Sequence, residues 1–248
     1  MASLDFSLFK GSHLKIYYFI GRLNPPHKGH IKALESMILM ANADGSEPLI
    51  LLGSGPGGER TLDNPVPFET KEQFLRAFMP RLRFSVRKMG NPFGDVPQWY
   101  TDVLSHVPTP SEVEFIRFAG DKGDNVTKFA SLDKHLSSIG SNIVAKTVAI
   151  PALESGLGAA SGLGAASAES EEMSATIVRR FAYTAFIRDR GPGGLQSFGA
   201  KYQSFYGDYT AQIYKDIVFP ALELSDEEIQ MYIDTKKMPK SKSKTAKK

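Results

Sequence analysis

The sequence predicts an α/β fold: an open parallel sheet of about five strands with helices on both faces, extended by a helical C-terminal appendage and a disordered basic tail. Three observations carry the prediction. Short apolar runs recur through the first 150 residues with helix-spaced apolar residues between them, and strands alternating with helices make βαβ units. The first runs are apolar without alternation, as strands are when both faces are covered. A chain of 248 residues that is 42% hydrophobic and 23% charged also belongs to a globular protein with a real core.

"LKIYYFI" (14–20) is a continuous apolar and aromatic strand that stops at Gly21. From His30 the residues Ile31, Leu34, Ile38 and Ala41 recur at helical spacing, so a helix begins close to the histidines. "PLILLG" (48–53) reads as a second buried strand. "ETKEQFLRAFM" (69–79) reads as a helix in which Thr70 and Gln73 have capping-box spacing. Strands then follow over 82–89, 113–120 and 142–150, separated by helices over 97–106 and 124–136. "ESGLGAASGLGAASAESEE" (154–172) repeats GLGAAS and carries too little bulky apolar surface to offset its ordering entropy, so it is expected to be a mobile loop, a candidate lid. A helix opens near Ser174, "RGPGG" (190–194) reads as a turn, and terminal helices follow around 208–219 and 225–234, the last opened by a Ser225–Glu228 capping box. The organisation expected is an α/β domain over 1–190, a helical part over 191–235 packed on the same domain, and a Lys-rich tail over 236–248.

The chain has no cysteine, which excludes disulfides, thiolate zinc sites and cysteine nucleophiles and fits a reducing compartment; a cytoplasmic location is expected. No apolar run approaches the roughly 18–20 residues of a membrane span. The opening "MASLDFSLFKGSHLK" lacks the charged start and apolar stretch of a secretory leader. The formal charge of +3 comes from the tail, whose seven lysines have no acidic partner; the rest carries 23 basic against 27 acidic residues, about −4. Neither nucleic acid nor a membrane is therefore expected as a partner of the body. The sequence carries no signal for oligomeric state: the body could be a monomer or associate through its terminal helices.

The chemistry concentrates in "GRLNPPHKGHIKAL" (21–34). In open α/β sheets the first strand-to-helix turn is a preferred phosphate site, and a helix N-terminus offers free N–H groups and a positive dipole end. Gly21 allows close backbone approach, Pro25 and Pro26 stiffen the turn, and His27 and His30 lie one helical turn apart, able to face one phosphate. A capping histidine or a zinc pair are the alternatives; zinc needs a third ligand, and His13, His106 and His135 are scattered. "MSATIVRR" (173–180) suggests a second anion cradle, with Ser174, Thr176 and Arg179 in the first turn of a helix. Its alternative is a serine-capped amphipathic helix with Arg179 and Arg180 solvated. "GSGPGG" (53–58) satisfies the dinucleotide-binding spacing after a strand, but Pro65 and Pro67 stand where the required helix should begin.

"GRLNPPHKGH" resembles the HxGH motif of the nucleotidylyltransferase superfamily, in the form similar to archaeal-type and phage nicotinamide-mononucleotide adenylyltransferases. "GSGPGGERTLDNPVPFETKEQFL" resembles that family's segment after its second strand, with Val66–Pro67 inserted where its pattern runs Asn-Pro-Phe-Thr. "MSATIVRR" resembles its SxTxxR signature, and "FAGDKGDN" (118–125) falls where such enzymes hold the ATP ribose and base. The resemblance spans roughly residues 14–190 and implies a Rossmann-like sheet. It implies adenylyl transfer from ATP to nicotinamide mononucleotide, giving NAD and pyrophosphate, with Mg²⁺ bound to the triphosphate. In that scheme His27, His30 and Arg179 are catalytic. Gly21, Arg22, Gly120, Asp121, Ser174 and Thr176 bind ATP, and Gly55, Asn64, Asp95 and Trp99 bind the acceptor. The same scaffold serves phosphopantetheine and cytidylyl transfer to choline or glycerol phosphates, and a non-catalytic nucleotide-binding protein is a further alternative.

Overall fold

The computed structural model describes residues 13–55, 58–105, 110–120, 127, 129–150 and 174–236. The expected mobile loop, Asp121 and all of the tail beyond Lys236 lie outside them. Five strands, β1 (His13–Gly21), β2 (Leu49–Gly53), β3 (Ser85–Met89), β4 (Glu112–Gly120) and β5 (Ile143–Ile150), form one sheet in the order β3-β2-β1-β4-β5. Every neighbouring pair is parallel, with Phe19 opposite Phe118 and Gly21 opposite Leu52. This is the Rossmann-like sheet expected from the sequence.

Alternation along the strands feeds two cores. Tyr17, Phe19, Ile50, Leu52, Ile116 and Phe118 face one side, where they meet α1 (Lys28–Ala43), α2 (Phe68–Phe78) and the later helices α5 (Ala175–Arg188), α6 (Pro192–Tyr206), α7 (Thr210–Val218) and α8 (Asp226–Thr235). Leu14, Ile16, Tyr18, Leu49, Leu51, Val113 and Phe115 face the other, under α3 (Pro92–Leu104) and α4 (Ala130–Ile139). Helices thus cover both faces of the sheet, and the C-terminal helices share a hydrophobic cluster with α1 and α2. No helix among the described residues is long and apolar enough to cross a membrane.

Several boundaries differ from expectation for identifiable reasons. α3 starts at Pro92, because Asn91 caps it by accepting from the Phe93 N–H at 3.1 Å, and Pro97 lies inside the helix instead of opening it. α2 is not opened by a Thr70–Gln73 box: Pro67 is its N-cap residue, and the Thr70 hydroxyl donates to the buried Asp216 carboxylate at 2.7 Å. The "RGPGG" segment is only briefly a turn, since α6 begins at Pro192 and was absent from the expected elements. Gly194 makes that start feasible: a Cβ there would lie 2.3 Å from the Tyr214 hydroxyl and 2.7 Å from the Asp189 carbonyl. The Ser225–Glu228 capping box is present with both of its hydrogen bonds.

Candidate functional site

In this strand order the chain steps outward from β1 to β2 and β3, then returns to pair β4 on the other flank of β1. The switch point lies between β1 and β4, and ligands of open α/β sheets settle beyond the carboxyl ends of the strands there. Gly21 ends β1 and Gly120 ends β4, so both border this crevice. A Cβ at Gly21 would lie 2.5 Å from the Phe19 ring, so any larger residue here would force that buried ring to shift.

The turn from β1 to α1 is held from several directions. Leu23 takes a positive φ of 45°, and the Asn24–Pro25 peptide is cis. Asn24 is buried; its Oδ1 accepts from the Val66 N–H at 2.9 Å, while its Nδ2 donates to the Val66 carbonyl at 3.0 Å and to Asn64 Oδ1. The buried Tyr206 hydroxyl, from the end of α6, donates to the Pro26 carbonyl at 2.8 Å. Lys71, on the first turn of α2, donates to the Arg22 carbonyl at 3.1 Å.

This scaffold presents the two histidines. His27 is the N-cap residue of α1 in extended conformation, and its side chain makes no capping hydrogen bond, which removes the capping alternative. Its ring lies against that of His30, with centroids 3.6 Å apart and planes 33° from parallel. The intervening Gly29 permits this: a Cβ would sit 3.2 and 3.3 Å from His27 Cε1 and Nδ1. Part of His30 reaches the surface, but its Nδ1 is buried with no hydrogen-bond partner among the described residues. Burial, and then the charge of His27, hold the His30 imidazole well below its ordinary titration range. Near neutral pH it is a neutral ring with a sealed, unspent nitrogen. Most buried polar side-chain atoms in folded proteins have a partner, so this nitrogen retains unused bonding capacity at the head of α1.

The second cradle reaches the same turn, though not as an open one. Ser174 caps α5, accepting from the Ile177 N–H at 3.3 Å. Arg179 is 8% exposed; it donates to the Asn24 carbonyl and faces the Asp63 carboxylate at 3.7 Å, while its Nε–H is buried without a hydrogen-bond partner among the described residues. Asp63 in turn accepts from the Tyr232 hydroxyl at 2.5 Å. Thr176 and Arg179 line a cleft with Asp63, Arg180 and Tyr232. Arg22 is exposed and lies beside Gly55, whose φ of 70° keeps the loop after β2 close to it; a Cβ at Gly55 would be 3.4 Å from Arg22 Cδ.

The expected acceptor residues separate. Gly55 lies at the junction, and Asn64 is next to it but 2% exposed, its amide spent on Gly58 and Asn24. Asp95 accepts from the Gly90 and Asn91 N–H groups at 2.8 and 3.1 Å, stabilising the entry to α3. Trp99 is a correction: at 1% exposure it is packed under the opposite face of the sheet with Tyr100 and Val103, leaving no ring face for a nicotinamide. The glycine run after β2 is also no dinucleotide turn, because α2 begins only at Phe68. The positioning residues Asn24, Lys71 and Tyr206 were not anticipated. Lys71 had a signal in the sequence, a lysine three and four residues before Phe74 and Leu75 on a buried stripe. Among the described residues, no group of three or more His, Asp or Glu side chains is arranged to hold a metal.

No protein-family model matches the chain, and no curated protein matches it.

Proposed function

We propose that the protein is a nucleotidyltransferase that moves AMP from ATP to nicotinamide mononucleotide, giving NAD and pyrophosphate. The observation that supports this most is the stacked His27–His30 pair at the head of α1, beside the β1–β4 crevice, with the His30 Nδ1 sealed and unpartnered. An oxygen of the acceptor's phosphate attacks the α-phosphorus in line, the bond to the β-phosphate breaks, and pyrophosphate leaves. The attacking monoester is already anionic, so no general base or covalent intermediate is required, and rate comes from positioning and charge stabilisation. The imidazoles donate N–H groups to the equatorial oxygens, His30 as a neutral ring, and the α1 N-terminus adds its dipole. Gly120 and Asp121 border the adenosine in this reading; Arg22, Thr176 and Arg179 receive the leaving pyrophosphate, Arg179 exchanging its contact with Asp63 for phosphate.

The described residues offer no carboxylate cage here, since Asp63 is engaged by Tyr232 and Arg179; this suits a Mg²⁺ that arrives on the oxygens of the triphosphate. With Trp99 in the core, recognition of the nicotinamide ring falls to other residues. The test is pyrophosphate release from ATP with nicotinamide mononucleotide, nicotinate mononucleotide, phosphopantetheine and phosphocholine in parallel, repeated with CTP. Release with the first acceptor is expected. Release with phosphopantetheine or phosphocholine alone would move the protein to another branch of the same chemistry, and ATP binding without release would make it a non-catalytic nucleotide binder.

A further inference from the structure

Three cationic side chains are buried among the described residues, and one of them has no counter-ion. Arg117 faces Asp133 at 3.3 Å and Arg179 faces Asp63 at 3.7 Å. Lys71, at 1% exposure, has no carboxylate within ion-pair distance among the described residues; its ammonium makes one hydrogen bond there, to the Arg22 carbonyl at 3.1 Å. An ammonium carries three donors, and a buried charge without an acid is costly unless something else compensates it. Lys71 also sits in the first turn of α2, where the helix dipole adds to its positive potential rather than offsetting it.

The position is specific. β1 has two flanks: β4 on one, where the adenosine is expected at Gly120, and β2 on the other. Lys71 binds the turn leaving β1 on the β2 flank, where Gly55 brings the loop after β2 against Arg22. Four charged groups face it: Glu59 from that loop, Lys88 from β3, Glu69 from its own helix and Arg22 from the turn. Glu59 is already matched by Lys88 at 3.0 Å.

We propose that Lys71 is a positioning residue for a phosphate-monoester subsite on the β2 flank of the turn: it fixes the Arg22 carbonyl and supplies positive charge that the acceptor's phosphate compensates. The identity of that phosphate as the acceptor's rests on the adenylyl-transfer reading; the anion subsite does not. Lys71 acts through the turn and through its field, which the protein interior screens less than water does.

The charge is also conditional. Burial pushes the Lys71 ammonium down to about 8; Glu59 and Glu69 oppose this, and Lys88 and Arg22 add to it. A bound dianion raises that value again. The Lys71 contribution to affinity is therefore nearly complete at pH 7 and below and is lost as pH climbs from the free value of about 8 toward the bound value. His30 titrates well below this window, so it does not mask the effect.

The experiment is calorimetric titration of the full chain with nicotinamide mononucleotide and with ribose 5-phosphate, at pH 7 and pH 9, for the wild type, Lys71→Met and Lys71→Arg. ATP is titrated in parallel. Wild-type affinity for both monoesters should fall about tenfold between the two pH values, as expected for a group of free pKa about 8 that must be protonated. Lys71→Met should bind both monoesters weakly at either pH, and Lys71→Arg should bind both more tightly than Lys71→Met without the decline at pH 9; because Lys71 also fixes the turn that carries Arg22, ATP affinity should fall too, but by a smaller factor than monoester affinity. Wild-type affinity that is flat across this range would overturn the proposal, even if Lys71→Met fails to fold. An equal loss of ATP affinity in Lys71→Met would overturn the assignment to the acceptor flank. Monoester binding with the expected pH dependence, but no turnover of any acceptor, would uphold the subsite and reject the adenylyl-transfer reading.

Discussion

Replacing Asn24 by alanine tests how the fold holds the histidines. The Asn24 amide is the connection between the turn after β1 and the segment before α2, and it serves three partners at once: the Val66 N–H, the Val66 carbonyl and Asn64 Oδ1. Asn24, Asn64 and Val66 are all at most 2% exposed, so water cannot replace the lost bonds. Each buried polar group left without a partner costs about 1–3 kcal/mol, and with partial relaxation the three together should cost about 3 kcal/mol. In a chain of this size that corresponds to a fall in melting temperature of roughly 6–12 °C. Because the turn carries His27, the same substitution should misplace the rings by a fraction of an ångström to an ångström and lower turnover by about 10². Urea unfolding and steady-state pyrophosphate release measure the two effects on one preparation. Stability within about 0.5 kcal/mol of wild type, the range of an ordinary surface change, would show that the Asn24 clamp does not carry the turn.

Other perturbations have distinct outcomes. His30→Ala should reduce turnover by about 10²–10³, the effect of removing one transition-state donor, with an unchanged melting temperature. Gly29→Ala places a Cβ 3.2 Å from the His27 ring, so that ring must shift by a few tenths of an ångström against His30; turnover should fall by roughly tenfold while circular dichroism is preserved. Asp44 is held below the usual carboxylate range by hydrogen bonds from Lys15 and Tyr17. Its contribution to stability is therefore present above the unfolded-state value of about 4 and lost as pH falls through the folded value. Urea midpoints should converge for wild type and Asp44→Asn at low pH and separate, with wild type higher, near neutrality.

Much of this architecture was legible in the residues because its cause is local. Ile16–Ile20 in β1 and Leu49–Leu52 in β2 are continuous apolar runs, and Gly21 and Gly120 end β1 and β4 as read. His27 and His30 were legible because a strand, a stiff turn and a helix start are all written within fourteen residues. α6 was missed although its signal exists: Pro192 suits the first helical position, and Phe198, Tyr202 and Tyr206 recur every four residues on one face. The glycines around Pro192 outweighed it. Trp99 could not be assigned from its neighbours, because which face of the sheet covers a helix is decided by the whole topology. The Asn24 clamp was out of reach for another reason. Its partners are about 40 residues away, and Val66, the first residue of the Val-Pro pair that reads as an insertion, supplies both backbone groups on which the turn hangs. Arg179 belongs to the same class: its helix was expected, while its contact with the Asn24 carbonyl, 155 positions away, was not.

In the proposed reaction the paired histidines at the head of α1 promote direct adenylyl transfer from ATP to a mononucleotide. The most direct measurement incubates the full chain with ATP, Mg²⁺ and nicotinamide mononucleotide and quantifies NAD with a dehydrogenase that reduces it, alongside pyrophosphate. NAD and pyrophosphate appearing in equal amounts, and both falling together by about 10²–10³ in His30→Ala, is the predicted result. NAD formed at the same rate by His30→Ala, or ATP consumed by the wild type with no NAD formed, would contradict it.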